Sequence, residues 1–470
     1  MAIFRAYDIR GFYPDEINPD LGRKVGFAFG TILKEKLNEK GAETKTIKPN
    51  VAVGADARIG SREVREAVIE GLVLSGAHVV DLGHVPTPFV YFATVDRSLD
   101  GGLMVTGSHN PKGYLGFKFC GKNAEPIGFE EGINKIKNFC ESHSKILFDF
   151  HGSKEKLDVS NDFVDMISGK IKLDKKFHVV IDAGNGIAGD AAKRLFEKLG
   201  CRVDCIYCEP DGDFPNHLAN PLKRETLKDL QKKVVELGAD FGFAFDGDGD
   251  RIGFVDSEGN VIMGDVVFAF LAEAVLKKEK GVKIVFDFIC SQMIEDVIKR
   301  NGGKPIVSRV GYQFLRKAVL DEKAMFAGEA SAHFYFSENF GYDDALFAGA
   351  KFLEALCNHD FDMFVETLPK YITSEDIRIQ CSDEKKSAIM ADLKDRFKKL
   401  NAKLSDIDGV KLFFDKGWGV IRPSNTEPVL VVRWEAKTQD AFDKIGEMLM
   451  DNAKEFIDKH EYEPVKEESD

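Results

Sequence analysis

The sequence predicts an α/β fold class, with three related α/β domains followed by a smaller α+β domain. The first observation is a pattern that occurs three times, in which a short apolar strand is followed by a helix, a glycine and a second apolar strand. Units of this length require right-handed crossovers and mostly parallel strand pairing. The second observation is a different interleaving of strands and helices after about residue 371, where a Gly-Trp-Gly turn joins two strands.

The three copies follow one another at intervals that indicate one domain each. They begin at Val51, His178 and Val282, and the helix of the first copy is expected at 61–75. Recurrence of one supersecondary unit along a chain is typical of related domains. The predicted domains are 1–150, 151–255, 256–370 and 371–470.

Composition and charge limit the function classes. The chain has 470 residues and a formal net charge of -13, which disfavours nonspecific binding to nucleic acid or to an anionic membrane. The N-terminal segment carries Arg5 and Asp8 where a signal peptide needs an apolar run, and no apolar stretch is long enough to span a bilayer. We therefore expect a cytoplasmic protein.

The eight cysteines form no framework of close, regular pairs. Cys201, Cys205 and Cys208 cluster, but a zinc site would need a fourth ligand, and no matching pair follows. We interpret these residues as strand-core thiols in a reducing cytosol.

A loop of three aspartates carries the strongest chemical signal. Asp246, Asp248 and Asp250 alternate with glycines between two predicted buried strands. The glycines let the backbone curl, so that three carboxylates can converge on one hard cation. An EF-hand is excluded, because Arg251 and Ser257 stand where its glycine and glutamate belong. An ordinary turn has no reason to gather three like charges, so the loop predicts a Mg²⁺ site.

A second loop carries a serine at its tip. Ser108 follows a short strand and precedes the Asn110–Pro111 dipeptide, a pattern that does not fit the nucleophile elbow of hydrolases. His109 is adjacent in sequence, and adjacent side chains usually diverge, so a Ser-His pair is not expected. Alone, the loop is as consistent with an ordinary turn as with a site. Beside the aspartate loop, a phosphate on Ser108 would supply the metal with another oxygen ligand.

Two further stretches offer polar groups on short segments. RPSNTEP suits a phosphate, although an ordinary Ser/Asn turn is an equally good interpretation. Its candidate ligands are Arg422, Ser424, Asn425 and Thr426. GEASAHF places Glu329, Ser331 and His333 at alternate positions, and in an extended segment all three face the same side. They suit sugar hydroxyls, but a polar edge strand is comparably consistent with the pattern.

These four stretches, in this order, resemble the motifs of the α-D-phosphohexomutase family, in its bacterial phosphomannomutase/phosphoglucomutase branch. TGSHNP resembles the phosphoserine loop, DGDGDR the metal loop, GEASAHF the sugar-binding loop and RPSNTEP the phosphate-binding loop. FRAYDIRG, which begins at Phe4, is similar to the N-terminal signature of the family. The resemblance covers essentially the whole chain.

The resemblance implies three related α/β domains with mixed, mostly parallel sheets and a smaller α+β C-terminal domain around a central cleft. It implies an enzyme in which phosphorylated Ser108 donates to a hexose 1- or 6-phosphate, the bisphosphate reorients, and the other phosphoryl group returns to Ser108. The resemblance also implies that each chain binds one Mg²⁺ and that a hexose 1,6-bisphosphate activates the enzyme. We expect a monomer or small homo-oligomer that acts on sugar phosphates, without nucleic-acid or membrane partners.

The implied site residues match the family motifs position by position. The implied metal ligands are Asp246, Asp248, Asp250 and a phosphate oxygen on Ser108. The implied catalytic residues are Ser108, Lys118, Arg251, His109 and Arg10, with Lys118 a candidate acid/base. The implied substrate-binding residues are Tyr7, Glu329, Ser331, His333, Arg422, Ser424, Asn425 and Thr426.

Two positions depart from the family pattern. Ala332 stands where the family usually has glycine, which bears on the geometry of the sugar-binding loop. Tyr312 stands where relatives often carry histidine, which bears on the identity of the general acid/base. By resemblance, Ser331 and His333 favour mannose and glucose over N-acetylated sugars, and a phosphoglucosamine mutase-like specificity is the alternative.

Two alternatives come from other classes. Gly184, Gly186 and Gly189 form a G-x-G-x-x-G pattern between a strand and a helix, with Asp204 beyond them, as in a nicotinamide-dependent dehydrogenase. This pattern explains none of the other four motifs. A non-catalytic sugar-phosphate sensor is the other alternative, and the presence of Ser108 together with three aspartates argues against it.

Overall fold

The structure, a computed structural model, describes residues 3–39, 48–142, 152–400, 402–424 and 427–461. These residues form four sheets, each built from a successive part of the sequence. Among them, no helix combines the length and the apolar character that a membrane crossing requires.

The first sheet is mixed and carries the serine loop at the end of a parallel strand. Its elements are β1 (Ile9–Phe12), α1 (Pro19–Glu39), β2 (Asn50–Ala55), α2 (Ser61–Leu74), β3 (His78–His84), α3 (Thr87–Asp96), β4 (Gly101–Val105), β5 (Tyr114–Gly121), α4 (Asn134–Ser142) and β6 (Ser153–Lys156). The order is β1-β5-β4-β2-β3-β6, antiparallel at β1–β5 and β5–β4 and parallel elsewhere. Helix α2 forms because Val64, Val68 and Leu72 place one apolar stripe against the sheet.

The second sheet carries the aspartate loop between two of its strands. Its elements are α5 (Ser160–Lys170), β7 (His178–Asp182), α6 (Gly189–Lys198), β8 (Arg202–Ile206), α7 (Lys228–Leu237), β9 (Phe241–Phe245), β10 (Ile252–Asp256) and β11 (Val261–Ile262). The order is β11-β10-β9-β7-β8, with parallel β9–β7 and β7–β8 pairs. The aspartate loop joins β9 to its antiparallel neighbour β10.

The third sheet carries the GEASAHF turn. Its elements are α8 (Gly264–Lys278), β12 (Lys283–Asp287), α9 (Gln292–Arg300), β13 (Lys304–Ser308), α10 (Tyr312–Glu322), β14 (Phe326–Gly328), β15 (Phe334–Phe336), α11 (Ala345–Asn358) and α12 (Phe361–Glu366). The order is β13-β12-β14-β15, with only the last pair antiparallel. The parallel pairs β2–β3, β7–β8 and β12–β13 confirm the three predicted strand–helix–strand units.

The fourth sheet is antiparallel and ends the chain. Its elements are β16 (Ile372–Thr373), β17 (Ile377–Gln380), α13 (Lys386–Phe397), β18 (Lys403–Ser405), β19 (Val410–Phe414), β20 (Gly417–Pro423), β21 (Val429–Ala436) and α14 (Gln439–Glu461). The order is β16-β21-β20-β19-β18, and β17 also pairs with β21. Short helical turns complete the fold at Lys122–Ala124, Phe129–Ile133, Arg224–Leu227 and Ser337–Asn339.

The first three sheets and the fourth differ in how they are packed. One continuous apolar core joins helix α3 to the second and third sheets, whereas the fourth sheet has a core of its own. A small apolar cluster links the third and fourth parts through Phe288, Ile289, Trp418 and Val420. The apolar contact that attaches the C-terminal domain is therefore much smaller than the core shared by the preceding parts of the chain.

Candidate active site

Ser108 and Asp246 meet where the first two sheets adjoin. The hydroxyl of Ser108 donates to Oδ2 of Asp246 at 3.0 Å, although 138 positions separate them in sequence. Ser108 is 1% exposed and Asp246 is 0% exposed. A phosphoryl group on this hydroxyl would therefore lie directly beside the aspartate loop.

Arg58, which the sequence analysis missed, holds the serine loop in its conformation. Its guanidinium donates to the backbone carbonyl oxygens of Ser108 and Asn110, each at 2.6 Å. It also donates to the carbonyls of Pro111 at 2.9 Å and Tyr114 at 3.2 Å. A buried, planar cation with several donors thus fixes one loop at four points.

Asp56 supports the same loop from beneath. Its carboxylate accepts from the backbone N–H groups of Gly107 and Arg58, both at 3.0 Å, and from the hydroxyl of Ser61 at 2.5 Å. Asp56 and Arg58 directly follow the carboxyl end of parallel strand β2, where ligand-binding residues of α/β sheets gather. That position is the signal that would have revealed them in the sequence.

His109 contacts the serine, against expectation. Ser108 has a φ of 49°, in the left-handed region that non-glycine residues rarely adopt. Its hydroxyl oxygen consequently lies 3.2 Å from Nδ1 of His109, so the expectation that these side chains diverge is wrong. Burial first, and then the charges of Arg251 and Arg10, lower the pKa of His109 well below its usual value. The ring is therefore neutral.

The three loop carboxylates fit a divalent cation. Asp246, Asp248 and Asp250 each offer one oxygen, and these oxygens lie within 4.8 Å of one another. All three side chains are buried, and Oδ1 of Asp248 has no hydrogen-bond partner among the described residues. Leaving charged oxygens buried and unpaired is costly, and a hard cation is the partner that such oxygens favour.

The aspartate loop also stabilises one carboxylate through its own backbone. The N–H groups of Gly249, Asp250 and Arg251 donate to Oδ1 of Asp246 at 3.0, 3.1 and 3.2 Å. Burial, followed by the charges of Asp250 and Asp248, nevertheless raises the pKa of Asp246 well above its usual value. Oδ2 of Asp246 faces Ser108, and a bound divalent cation would favour the ionised carboxylate over the protonated one.

Lys118 lies against two of the three carboxylates. Its ammonium donates to Oδ2 of Asp248 at 2.8 Å and to Oδ2 of Asp250, and the hydroxyl of Thr87 donates to the same Asp248 oxygen at 2.6 Å. Burial opposes the charge of Lys118, but Asp248 and Asp250 outweigh it and raise its pKa well above the usual value. Lys118 is therefore held as a cation.

Arg10 and Tyr7, in the N-terminal segment, contact the serine loop and the third part of the chain. Arg10 donates to Oδ1 of Asn110 at 2.5 Å and pairs with Asp8 at 2.6 Å. The carbonyl oxygen of Tyr7 accepts from the hydroxyl of Tyr312 at 2.9 Å, and the two rings meet edge to face. Burial raises the pKa of Tyr312 well above its usual value, so this residue is a poor acid or base.

Glu329, Ser331 and His333 converge on a tight turn between β14 and β15. The N–H of Ala332 donates to the carbonyl of Glu329 at 3.0 Å, and Ala332 has a φ of 62°. The expected extended geometry is wrong, because the backbone reverses here to form an antiparallel pair. The side chains still meet, since the Ser331 hydroxyl donates to Oε2 of Glu329 at 2.8 Å and lies 3.0 Å from Nδ1 of His333.

His333 connects this turn to the aspartate loop. Its Nε2 lies 3.2 Å from Oδ1 of Asp250, and its Nδ1 pairs with Glu329. Burial opposes the charged ring, but Asp250 and Glu329 outweigh it and raise the pKa of His333 to about 10. The 3.2 Å approach of Nε of Arg251 to Nε2 is therefore a contact between two cations and not a hydrogen bond.

The RPSNTEP loop lies at the end of β20 in the C-terminal domain. Arg422 is 6% exposed and donates from Nε to Oδ2 of Asp408 at 2.9 Å. The same oxygen accepts from the N–H of Val310 in the third part of the chain at 3.2 Å. Asn425 and Thr426 lie outside the described residues, so their predicted role stays a prediction.

Lys386, a second residue that the sequence analysis missed, spans the base of this loop. Its ammonium donates to the carbonyl oxygens of Ser424 at 3.0 Å and Glu427 at 2.5 Å, on the two sides of the loop. It also pairs with Asp383 at 2.5 Å. No local pattern distinguishes Lys386 from the many surface lysines, because its partners are backbone carbonyls some 38 and 41 positions away.

Comparison with known proteins settles the family. Models of four Phosphoglucomutase/phosphomannomutase domain families match: alpha/beta/alpha domain I at residues 1–146, domain II at 161–259, domain III at 263–371 and the C-terminal domain at 377–452. A Phosphomannomutase/phosphoglucomutase of Pseudomonas syringae pv. tomato is 40% identical over 448 residues, which cover 94% of this chain and 93% of the relative. The chain belongs to the phosphoglucomutase/phosphomannomutase family.

Further members agree with this assignment. A Phosphoglucomutase of Neisseria gonorrhoeae is 36% identical over 447 residues, covering 94% of this chain and 95% of the relative. The crystal structure of a Phosphoglucomutase/phosphomannomutase family protein from Burkholderia thailandensis matches with a TM-score of 0.87 at 33% identity, covering 98% of both chains. The predicted family, fold class and enzyme class, a phosphohexomutase, are confirmed.

In this member of the family, the glycine pattern of the second sheet serves packing. A Cβ at Gly186 would lie 3.0 Å from both the Asp246 carbonyl oxygen and Cα of Gly247. A Cβ at Gly189 would lie 2.4 Å from the carbonyl oxygen of Cys208. Protein backbone fills the space on both sides of the turn, so the dehydrogenase alternative loses its support.

Proposed function

We propose that this phosphohexomutase interconverts hexose 1-phosphates and hexose 6-phosphates, of mannose, glucose or both, through phosphorylated Ser108 and a bisphosphorylated sugar. The observation that carries the proposal is the 3.0 Å contact between the Ser108 hydroxyl and Asp246, buried between the first two sheets. Phosphoryl transfer depends mainly on positioning and on stabilisation of charge. A buried hydroxyl beside three carboxylates suits both requirements.

We assign one Mg²⁺ per chain to Asp246, Asp248, Asp250 and a phosphate oxygen on Ser108. The supporting observations are the approach of one oxygen from each aspartate to within 4.8 Å of the others and the buried, unpartnered Oδ1 of Asp248. A bound Mg²⁺ would neutralise charge on the phosphoryl oxygens. A hexose 1,6-bisphosphate is the proposed activator, because it can phosphorylate Ser108.

Proton transfer at Ser108 is assigned to its two neighbours. When the bisphosphate returns a phosphoryl group, an Oγ–P bond forms, the sugar O–P bond breaks and the hydroxyl proton must leave Oγ. Oδ2 of Asp246 accepts the hydroxyl hydrogen at 3.0 Å and, when ionised, is positioned to take the proton, while Nδ1 of His109 lies 3.2 Å from the same oxygen. Lys118 stays the candidate acid/base that the family resemblance implies. Its raised pKa suits the ammonium to donate a hydrogen bond, and Arg251 is suited to steady the transferring group.

Substrate binding is assigned to two further loops. Glu329, Ser331 and His333 form one connected polar cluster that can hold sugar hydroxyls in either orientation. Tyr7 and Arg10 face the same cleft. The phosphate that does not react is assigned to Arg422, Ser424, Asn425 and Thr426, and a guanidinium can bind two phosphate oxygens at once.

Contacts of the C-terminal domain support closure over the cleft. Asp383, which pairs with Lys386 beneath the phosphate loop, also pairs with Arg5 of the first domain at 3.1 Å. Closure excludes water, which otherwise competes with the sugar hydroxyl for the phosphoryl group. Cytoplasmic location and a monomeric or small homo-oligomeric state stay predictions of the sequence.

The decisive experiment measures phosphorylation and turnover together. Intact mass and peptide mapping after incubation with glucose 1,6-bisphosphate should place one phosphoryl group on Ser108. Ser108→Ala should carry none and should lose at least about 10³-fold in turnover. Ser168→Ala, which removes a partly exposed surface hydroxyl, is the matched control and should behave as wild type. Phosphorylation at another residue would overturn the proposal, and full binding without turnover by the wild type would indicate a sensor.

Sugar specificity needs a separate assay. The relatives carry the names Phosphomannomutase/phosphoglucomutase and Phosphoglucomutase, which leave mannose and glucose both open. We expect turnover with mannose 1-phosphate or glucose 1-phosphate to exceed turnover with glucosamine 1-phosphate and N-acetylglucosamine 1-phosphate. The reverse order would favour a phosphoglucosamine mutase-like specificity.

A further inference from the structure

Two cysteines lie together on the surface of the second domain. Cys205 is in β8, an edge strand, and its side chain is exposed, so the interpretation of it as a strand-core thiol is wrong. Cys208 follows three positions later and is half-buried. Between them Tyr207 has a φ of 52°, where the chain turns. The Cys208 thiol donates to the carbonyl oxygen of Ile181 at 3.9 Å, and Ile181 is the residue that Cys205 faces in the β7–β8 pair, so the two cysteines lie beside the same strand residue.

The two thiols are chemically unequal. The interaction with Cys208, aided by Lys193, lowers the pKa of Cys205 despite partial burial. The same interaction raises the pKa of Cys208. An exposed thiol with a lowered pKa is the one that attacks a disulfide, and a neighbouring thiol can then resolve the product. In contrast, burial raises the pKa of the core thiols Cys120, Cys140, Cys201 and Cys290.

We propose that Cys205 and Cys208 form a reversible disulfide by exchange with a low-molecular-weight disulfide such as oxidised glutathione. The Cys205 thiolate attacks one sulfur of that disulfide, and the first small thiol leaves. Cys208 then attacks the sulfur of Cys205 in the mixed disulfide, and the second small thiol leaves. The pair loses two electrons and two protons, which the small disulfide takes up as it is reduced to two thiols.

The pair is connected to the aspartate loop through the glycine turn. On one side, Cys208 packs so closely on Gly189 that an added Cβ would lie 2.8 Å from Cα of Cys208. The carbonyl oxygen of Tyr207 also accepts from the N–H of Asn185 at 2.8 Å. A change in backbone conformation between the two cysteines therefore also displaces the turn at residues 184–189.

The other side of the same turn touches the reactive centre. The N–H of Ile187 donates to the carbonyl oxygen of Gly247 at 3.1 Å, and Gly186 leaves no room for a side chain against Asp246. Close-packed backbone transmits displacement, because no cavity is present to absorb it. We expect disulfide formation to shift the aspartate loop and to lower turnover several-fold.

The test uses the full-length enzyme equilibrated in buffers of graded reduced-to-oxidised glutathione ratio. Free thiols are trapped by alkylation, and the chain is cut with trypsin. The peptide 203–223, between Arg202 and the cleavage after Lys223, contains both cysteines and no other. In oxidising buffer the peptide should carry no alkyl group and should weigh two hydrogens less than the reduced, unalkylated peptide, and dithiothreitol should restore alkylation at both cysteines.

Single substitutions separate the disulfide from its effect. Cys205→Ser should abolish the disulfide and make turnover insensitive to the glutathione ratio, whereas Cys357→Ser, at another half-buried cysteine, should leave both responses intact. A peptide alkylated twice at every ratio, or a stable glutathione adduct without the disulfide, would overturn the proposal. A disulfide that forms without any change in turnover would overturn the coupling to the aspartate loop. The thiol measurement does not depend on the substrate assignment, so the two can fail separately.

Discussion

The serine–aspartate centre and the phosphate loop differ in how deeply they are buried and in how they are attached to the rest of the protein. Ser108 is buried between two sheets, and Arg58 holds its loop at four carbonyl oxygens. The phosphate loop projects from the end of β20, and Lys386 spans its base from a neighbouring helix. The difference indicates that the groups at the reacting atoms are preorganised. The groups proposed to bind the phosphate that does not react lie instead on a domain with a small apolar attachment to the rest.

The largest effect, on both stability and turnover, is expected when Arg58, which holds the serine loop, is replaced. Arg58→Met leaves four carbonyl oxygens and Asp56 without their cationic partner, so the free energy of unfolding should fall by about 3–5 kcal/mol. Turnover should fall by at least about 10²-fold, because small misplacements of reacting groups are costly. Chemical denaturation and steady-state assays measure the two quantities.

A neighbouring arginine is the control for that comparison. Arg62 lies on α2 with 75% of its side chain exposed and pairs with Glu66, so Arg62→Met should change neither quantity. If Arg58→Met lost stability but its folded fraction turned over at the wild-type rate, preorganisation of the serine loop would not be the role of Arg58.

A smaller effect, of a different kind, is expected in the phosphate loop. Lys386→Met removes the donor to the carbonyl oxygens on both sides of the loop, so the loop should bind the unreactive phosphate less tightly. That phosphate is bound equally in the ground state and in the transition state. KM should rise about 10-fold while kcat stays within about 2-fold. Lys398→Met, at an exposed lysine just beyond the same helix, should leave KM unchanged. A fall in kcat at constant KM would instead assign Lys386 to the chemical step.

The last effect concerns stability alone, at a carboxylate that is buried as deeply as the triad but lies outside it. Asp344 caps α11 by accepting from the N–H of Phe347 at 3.0 Å, and burial raises its pKa to about 7. Between pH 4 and 7 the folded chain binds a proton that the unfolded chain has released, so stability falls as pH rises, by up to about 1.4 kcal/mol per unit.

Asp344→Asn should flatten this dependence without changing turnover. The amide can keep the bond to Phe347, and Asn339 can present its unpartnered Oδ1 to the new amide group. Denaturation midpoints of both variants across pH 4 to 8 provide the measurement. An unchanged slope in Asp344→Asn would mean that another group causes it.

Much of the site was predictable from the sequence because its motifs are short and follow strand ends. Asp246, Asp248 and Asp250 were placed on one cation, and the structure brings their oxygens within 4.8 Å of one another. Arg58 and Lys386 were not found, because each acts on backbone carbonyls, and a carbonyl leaves no signature in the sequence. The Ser108–His109 contact was missed because it depends on a φ of 49° at Ser108.

The sequence by itself determined the three strand–helix–strand units, since apolar periodicity and glycine stops act over a few residues. It also determined which side chains are available for phosphate and metal chemistry. Only the tertiary structure decided that Ser108 meets Asp246 and that Lys118 meets Asp248, across 138 and 130 positions. Such meetings depend on how whole sheets pack together, and no local pattern records that packing.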